Sequence, residues 1–221
     1  MRPGFLSGVA AFWVALAVAP REARAQNDLG FPDRGHTVIV LDNLGGFVRS
    51  EVNYPGSTNQ GGSTNTGGVF PFTPVARFGI HQFVAGGLSL GAGLIYADES
   101  QSLFNGSPAG TTFGIAPRIG YGFALSPTLA LWIRGGITYL NTSMSGGGQL
   151  WQFSPGGEVF LVITPVSHFG ITLGPYGEFA VAGKECQNNG VAAGGGPPPA
   201  CQSQDIRENY YGITAGILAD F

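Results

Sequence analysis

The chain has 221 residues, 38 of them glycine, with charged residues at 10% and a net charge of −3. Glycine stands at about two and a half times its average share, and charge falls well below the usual ~25%. Without a basic run nucleic acid is not an expected partner, and scattered glycine and proline do not make a collagen repeat.

At the N-terminus, Met1 and Arg2 precede the uncharged run "GFLSGVAAFWVALAVAP", and Ala23-Arg24-Ala25 offers a small-x-small site. This reads as a signal peptide over residues 1–25, cleaved before Gln26. No cysteine follows the run, so a lipid-anchored N-terminus is not expected. Residues 26–35 are expected to be a short periplasmic segment and 36–221 one domain. No later stretch reaches the ~18 apolar residues of a membrane helix.

Eight segments then alternate apolar with small or polar residues: 36–52, 74–85, 88–98, 112–125, 128–142, 151–164, 168–183 and 206–221. Period two of this kind is the mark of strands with two different faces. The connections at 85–87, 126–127 and 165–167 are tight turns. Those at 53–73, 99–111, 143–150 and 184–205 are long and rich in glycine, serine, asparagine and proline. Short and long connections at opposite ends predict an all-β fold, an eight-stranded antiparallel up-and-down transmembrane β-barrel. In the fourth segment Phe113, Ile115, Ile119, Tyr121 and Phe123 share one parity, and Gly114, Ala116, Arg118, Gly120 and Gly122 the other. Eight strands leave an interior wide enough only for modest side chains. The bulky face is therefore expected to look outward into lipid. Gly45-Gly46 predicts a bulge or register change in the first strand.

The last segment sets Tyr211, Ile213, Ala215, Ile217, Ala219 and Phe221 on one parity. Ten residues at ~3.3 Å, tilted by about 40°, project to roughly 25 Å, the height of the apolar band of such barrels. This ending, "YGITAGILADF", resembles the C-terminal signal of the small outer-membrane barrels of Gram-negative bacteria, the OmpA/OmpX-like class. The resemblance implies an outer-membrane location and a structural or surface-interaction role. It also implies that Tyr211 and Phe221 form the signal read by the barrel-assembly machinery. Outer-membrane lipids and lipopolysaccharide are the implied surroundings of a monomer.

Parity places Arg77, Arg118, Arg134, Glu158 and Glu178 inside, with Arg49 and Glu51 expected to join them. Charges in a narrow barrel must pair or be hydrated. They are expected to form an ion network that closes the lumen; a porin-like path for ions or small solutes is the alternative. His36, His81 and His168 fall near periplasmic strand ends and read as turn and interface residues. Ser167 and His168 could suggest a lipid A-modifying enzyme, but neighbours on a strand point to opposite faces. No catalytic residue, cofactor or metal site is expected. Cys186 and Cys201 flank a glycine- and proline-rich loop, and an oxidising compartment predicts a disulfide between them. A secreted β-sandwich would instead pack the bulky faces against each other.

Overall fold

The computed structural model describes residues 31–55, 63–68, 76–99, 110–144, 148–187 and 202–221. The expected signal peptide lies outside them. The strands are β1 (Thr37–Asn53), β2 (Ser63–Gly68), β3 (Arg77–Ala85), β4 (Leu88–Glu99), β5 (Gly110–Ser126) and β6 (Leu129–Met144). They continue as β7 (Gln149–Val166), β8 (Phe169–Glu178), β9 (Ala182–Gln187), β10 (Gln202–Asp205) and β11 (Arg207–Asp220). Eight of them, β1, β3 to β8 and β11, form an antiparallel ring that closes through the β1–β11 pairing. Closure gives each of these eight strands a neighbour on both sides, which is what hydrocarbon demands of a sheet.

Of the other three strands, β2 and β10 lie in stretches expected as loops, and β9 begins in the expected strand 168–183 and runs on into the expected loop 184–205. The β2 strand folds back along the upper half of β1, from Gly46 to Glu51. The expected strand 168–183 runs as β8 and then β9, and both pair with β7. Between them Phe179 N donates to Pro155 O at 2.9 Å and Val181 N to Phe153 O at 3.0 Å, so the hairpin is continuous. Then β10 pairs with β9 beyond the ring.

The bulky parity does face outward. Along β5, exposure alternates residue by residue from Thr111 to Gly122. Phe113, Ile115, Ile119 and Tyr121 are exposed there, while Ala116 and Arg118 are buried. The large apolar residues exposed on other strands include Phe47, Leu94, Ile171 and Ile213. Aromatic side chains mark both ends of this outer surface, with Tyr96 and Trp151 toward the long loops and Phe169 and Phe221 toward the short turns.

The expected irregularity in β1 lies between Leu41, opposite Ile217, and Gly45, opposite Ala215. Four steps on β1 match two on β11, so the break adds an even number of residues and the inward parity survives it. Asn43 takes φ 60 and Gly46 φ 146. A Cβ at Gly46 would stand 2.1 Å from Ile213 O, so glycine alone fits this crossing.

The interior is not only glycine and charge, as the parity argument expected. Val38, Val40, Phe83, Trp132, Phe160, Val162 and Leu218 form a buried apolar cluster toward the short-turn end. Phe31, from the segment expected to lie outside the barrel, belongs to the same cluster. Its ring meets Phe83 at 5.1 Å and Trp132 at 5.4 Å, both edge to face. Gly35 N donates to Phe83 O at 2.8 Å, and Gln82 Nε2 donates to Gly35 O at 2.8 Å. Pro32 fills the space that a side chain at Gly122 would need, since a Cβ there would lie 2.4 Å from Pro32 Cβ. Residues 31–35 are thus built into the mouth of the ring.

Candidate functional site

The inward parity delivers charged side chains from six ring strands to one level of the lumen. Asp42 comes from β1, Arg77 from β3, Arg118 from β5, Arg134 from β6, Glu158 from β7 and Glu178 from β8. All six are buried, none above 5% exposed. Arg77 donates to Asp42 Oδ2 from Nε at 3.2 Å and from Nη2 at 3.0 Å. It also bonds Glu158 Oε1, and its Nη1 lies 3.6 Å from Glu178 Oε1. Arg134 Nη2 donates to Asp42 Oδ1 at 2.8 Å and stands 2.6 Å from Glu158 Oε2 in an ion contact lacking hydrogen-bond alignment. Arg118 Nη2 donates to Glu178 Oε1 at 2.5 Å and to Thr138 Oγ1 at 2.8 Å. Thr138 in turn donates to Glu178 Oε1 at 2.6 Å.

Three guanidinium groups thus meet three carboxylates, and the formal charge of the layer is zero. Asp42 is the member that the sequence argument missed. The five residues named from parity carry one unbalanced positive charge, and Asp42 shares the inward parity of Val38 and Val40. That imbalance was the available signal. Arg49 and Glu51, expected inside, are instead outward, at 46% and 37% side-chain exposure. Even positions of β1 face in on both sides of its irregularity, so these odd positions face out. There Arg49 Nη2 lies 3.2 Å from Glu51 Oε1, and Tyr211 OH donates to the same oxygen at 2.6 Å.

Two further contacts bind the network to its surroundings. Pro117 has no N–H for the ladder, and by register it lies opposite Ile137 of β6. Arg118 Nη1 donates to Ile137 O at 2.8 Å, satisfying a carbonyl beside the proline. On the apolar side, the Arg134 guanidinium sits 4.3 Å from the Trp132 ring centre and 4.8 Å from that of Phe160. Trp132 Nε1 donates to Ser89 Oγ at 3.1 Å, so its one polar atom is satisfied in the core.

The histidines separate into two groups. His168 sits in the β7–β8 turn with φ 66, and its Nδ1 donates to Asp220 O at 2.8 Å. His36 Nδ1 lies 3.1 Å from Asp220 Oδ1 at the β1–β11 seam. These two match the turn and interface expectation. His81 does not: it is 1% exposed inside the lumen, edge-on to Trp132, and Arg134 Nη1 donates to its Nε2 at 3.3 Å. Cys186 is the penultimate residue of β9, where it pairs with Ser203 of β10, and Cys201 lies outside the described residues. At the C-terminus, Thr37 and Phe221 exchange both backbone hydrogen bonds at 2.9 Å. The last residue therefore closes the ring.

No family model matches the sequence, and no curated protein matches it. Solved structures do match the shape. OprG from Pseudomonas aeruginosa aligns at TM-score 0.50 and 12% identity, over 85% of this chain and 96% of that one. AlkL, determined by solid-state NMR in DMPC bilayers, aligns at 0.56 and 13%, over 86% and 91%. Neisserial surface protein A aligns at 0.50 and 10%, over 85% and 100%. The chain has the fold of the small outer-membrane β-barrels. At these identities the likeness is one of fold.

Proposed function

We propose that the protein resides in the outer membrane of a Gram-negative bacterium and has a structural or surface-interaction role, with a lumen closed to solutes. The observation that carries this reading is the neutral layer of six buried charges, which ties six strands together across the lumen. Beneath it the apolar cluster, with Phe31 built in, adds a second barrier. The exposed apolar outer surface supports a lipid setting, with lipopolysaccharide facing the long loops. A signal peptide over 1–25, monomeric assembly, delivery by the barrel-assembly machinery and a Cys186–Cys201 bridge belong to the same proposal.

Planar-bilayer recording of the purified barrel tests the closed lumen. Silent traces at both polarities are expected. Reproducible conductance steps would replace this reading with that of a narrow channel.

A further inference from the structure

One row of outward positions crosses six ring strands. Register sets Ile119 beside Gly135, Gly135 beside Gly157, Gly157 beside Gly177, Gly177 beside Tyr211 and Tyr211 beside Arg49. Residues paired in this way share one face of the sheet. It is the outer face, since Arg134, Glu158 and Glu178, next along the chain to the three glycines, are buried in the lumen. Gly157 is exposed, and Gly135 and Gly177 are half-buried. Ile137, Pro155 and Phe179 flank the glycines on one side, Ile133, Val159 and Pro175 on the other. Three adjacent glycines between bulkier rows make an apolar groove one residue wide in the outer wall.

The groove climbs toward the long loops. Gly135 lies six residues from Leu129 at the short-turn end, and Tyr211 ten from Phe221. At ~3.3 Å per residue and a tilt of about 40°, these correspond to heights of roughly 15 and 25 Å. The groove thus rises from the middle of the apolar band to its outer rim, and there the chemistry changes. Arg49 closes the row, half exposed beside Glu51. Four residues above Tyr211 on the same strand, Arg207 is exposed and has no ion pair among the described residues. Two cations and one anion leave one positive charge at this end, and Lys184 and Asp205, paired across β9 and β10, add none. On β4 the outward charge near the same rim is Asp98, so this side of the barrel is the one that suits an anion.

We infer that the groove seats one acyl chain of a phosphorylated outer-leaflet glycolipid, with the phosphate held by Arg49 and Arg207. The inference rests on the outer-membrane reading above and names a lipid partner for it. The glycines supply the space and the flanking apolar rows the contacts that a hydrocarbon chain gains by lying in a groove. A guanidinium matches phosphate oxygens with two parallel donors. Apolar groove below and cations above follow the order of tail and head in such a lipid.

Native mass spectrometry of the folded barrel, released from detergent after titration with bisphosphorylated hexa-acyl lipid A, tests the inference. The heat-modifiable folded band is checked first, so failure to form the barrel is read separately from failure to hold the lipid. The parent should retain one lipid A and lose it when both phosphates are removed. Gly157→Leu fills the groove at a site where a Cβ would come no closer than 3.7 Å to the backbone of the next strand. That variant, and Arg49→Gln combined with Arg207→Gln, should each raise the half-retention concentration about tenfold. Ala92→Leu, which adds the same bulk to an exposed position on β4, should leave it unchanged. Retention indifferent to Gly157→Leu, equal retention of the dephosphorylated lipid, or a barrel dimer dispersed by Gly157→Leu in place of bound lipid would each overturn the proposal. Should Gly157→Leu not fold, the arginine pair and the dephosphorylated lipid decide.

Discussion

At the scale of single residues, exposure decides which charges matter. Asp42 accepts from Arg77 and Arg134 in a layer sealed from solvent. Removing one member of such a set leaves its partners uncompensated, at a cost of about 3–5 kcal/mol. Asp42→Asn should lower the urea unfolding midpoint of the vesicle-inserted barrel accordingly. Arg49 pairs with Glu51 on the outer face, half exposed, and Arg49→Ala should cost at most about 1 kcal/mol in the same titration. Equal losses for the two variants would contradict the assignment of inside and outside on β1. Phe31 provides the second residue-scale expectation. Its ring is buried between Phe83 and Trp132, and Phe31→Ala should cost about 3–5 kcal/mol, as for other buried aromatic truncations. A variant as stable as the parent would mean that the segment is not seated in the barrel mouth.

At the scale of elements, the β1–β11 seam is where the chain's two ends must find each other. Thr37 and Phe221 form its last pair, and His36 and His168 both meet Asp220 beside it. Deleting Phe221 removes that pair together with the expected assembly signal. The truncated chain should accumulate outside the outer-membrane fraction, seen as loss of the heat-modifiable folded band on gels. Farther up the seam, Gly46→Ala forces a Cβ onto the Ile213 carbonyl at a φ that alanine rarely adopts, so it should slow closure and lower the folded yield. Strand parity was legible because period two needs only local residue types. The Gly45-Gly46 irregularity was legible as a place but not as a phase. Whether a bulge adds one residue or two depends on which residues of β11 lie opposite, and that cost the correct placement of Arg49 and Glu51.

At the scale of the whole molecule, the question is what surrounds the barrel and what crosses it. A ring whose outer surface exposes Phe47 at 73%, Tyr96 at 67% and Phe221 at 65% needs an apolar medium. The refolded mature chain should stay dispersed only with detergent or lipid, as read by sedimentation. Monodisperse behaviour in plain buffer would contradict the membrane proposal. On the cell-surface side, the Cys186–Cys201 bridge would close a loop of about fifteen residues, for a stabilisation of about 3 kcal/mol. Cys201→Ser should lower the thermal midpoint without abolishing insertion, because the ring pairs its strands independently of that loop.

The sequence alone determined the number of ring strands, their antiparallel order, the outward direction of the bulky side chains and five of the six charges in the lumen. Each follows from alternation and turn chemistry, which act between near neighbours along the chain. Only the tertiary structure decided that Asp42 completes the layer, that Trp132 and Phe160 fill one end of the interior, and that Phe31 returns into it. Those outcomes depend on which distant residues share a level of the lumen. Strand register and the space left by Gly122 set that level, and no periodicity within a single strand encodes it.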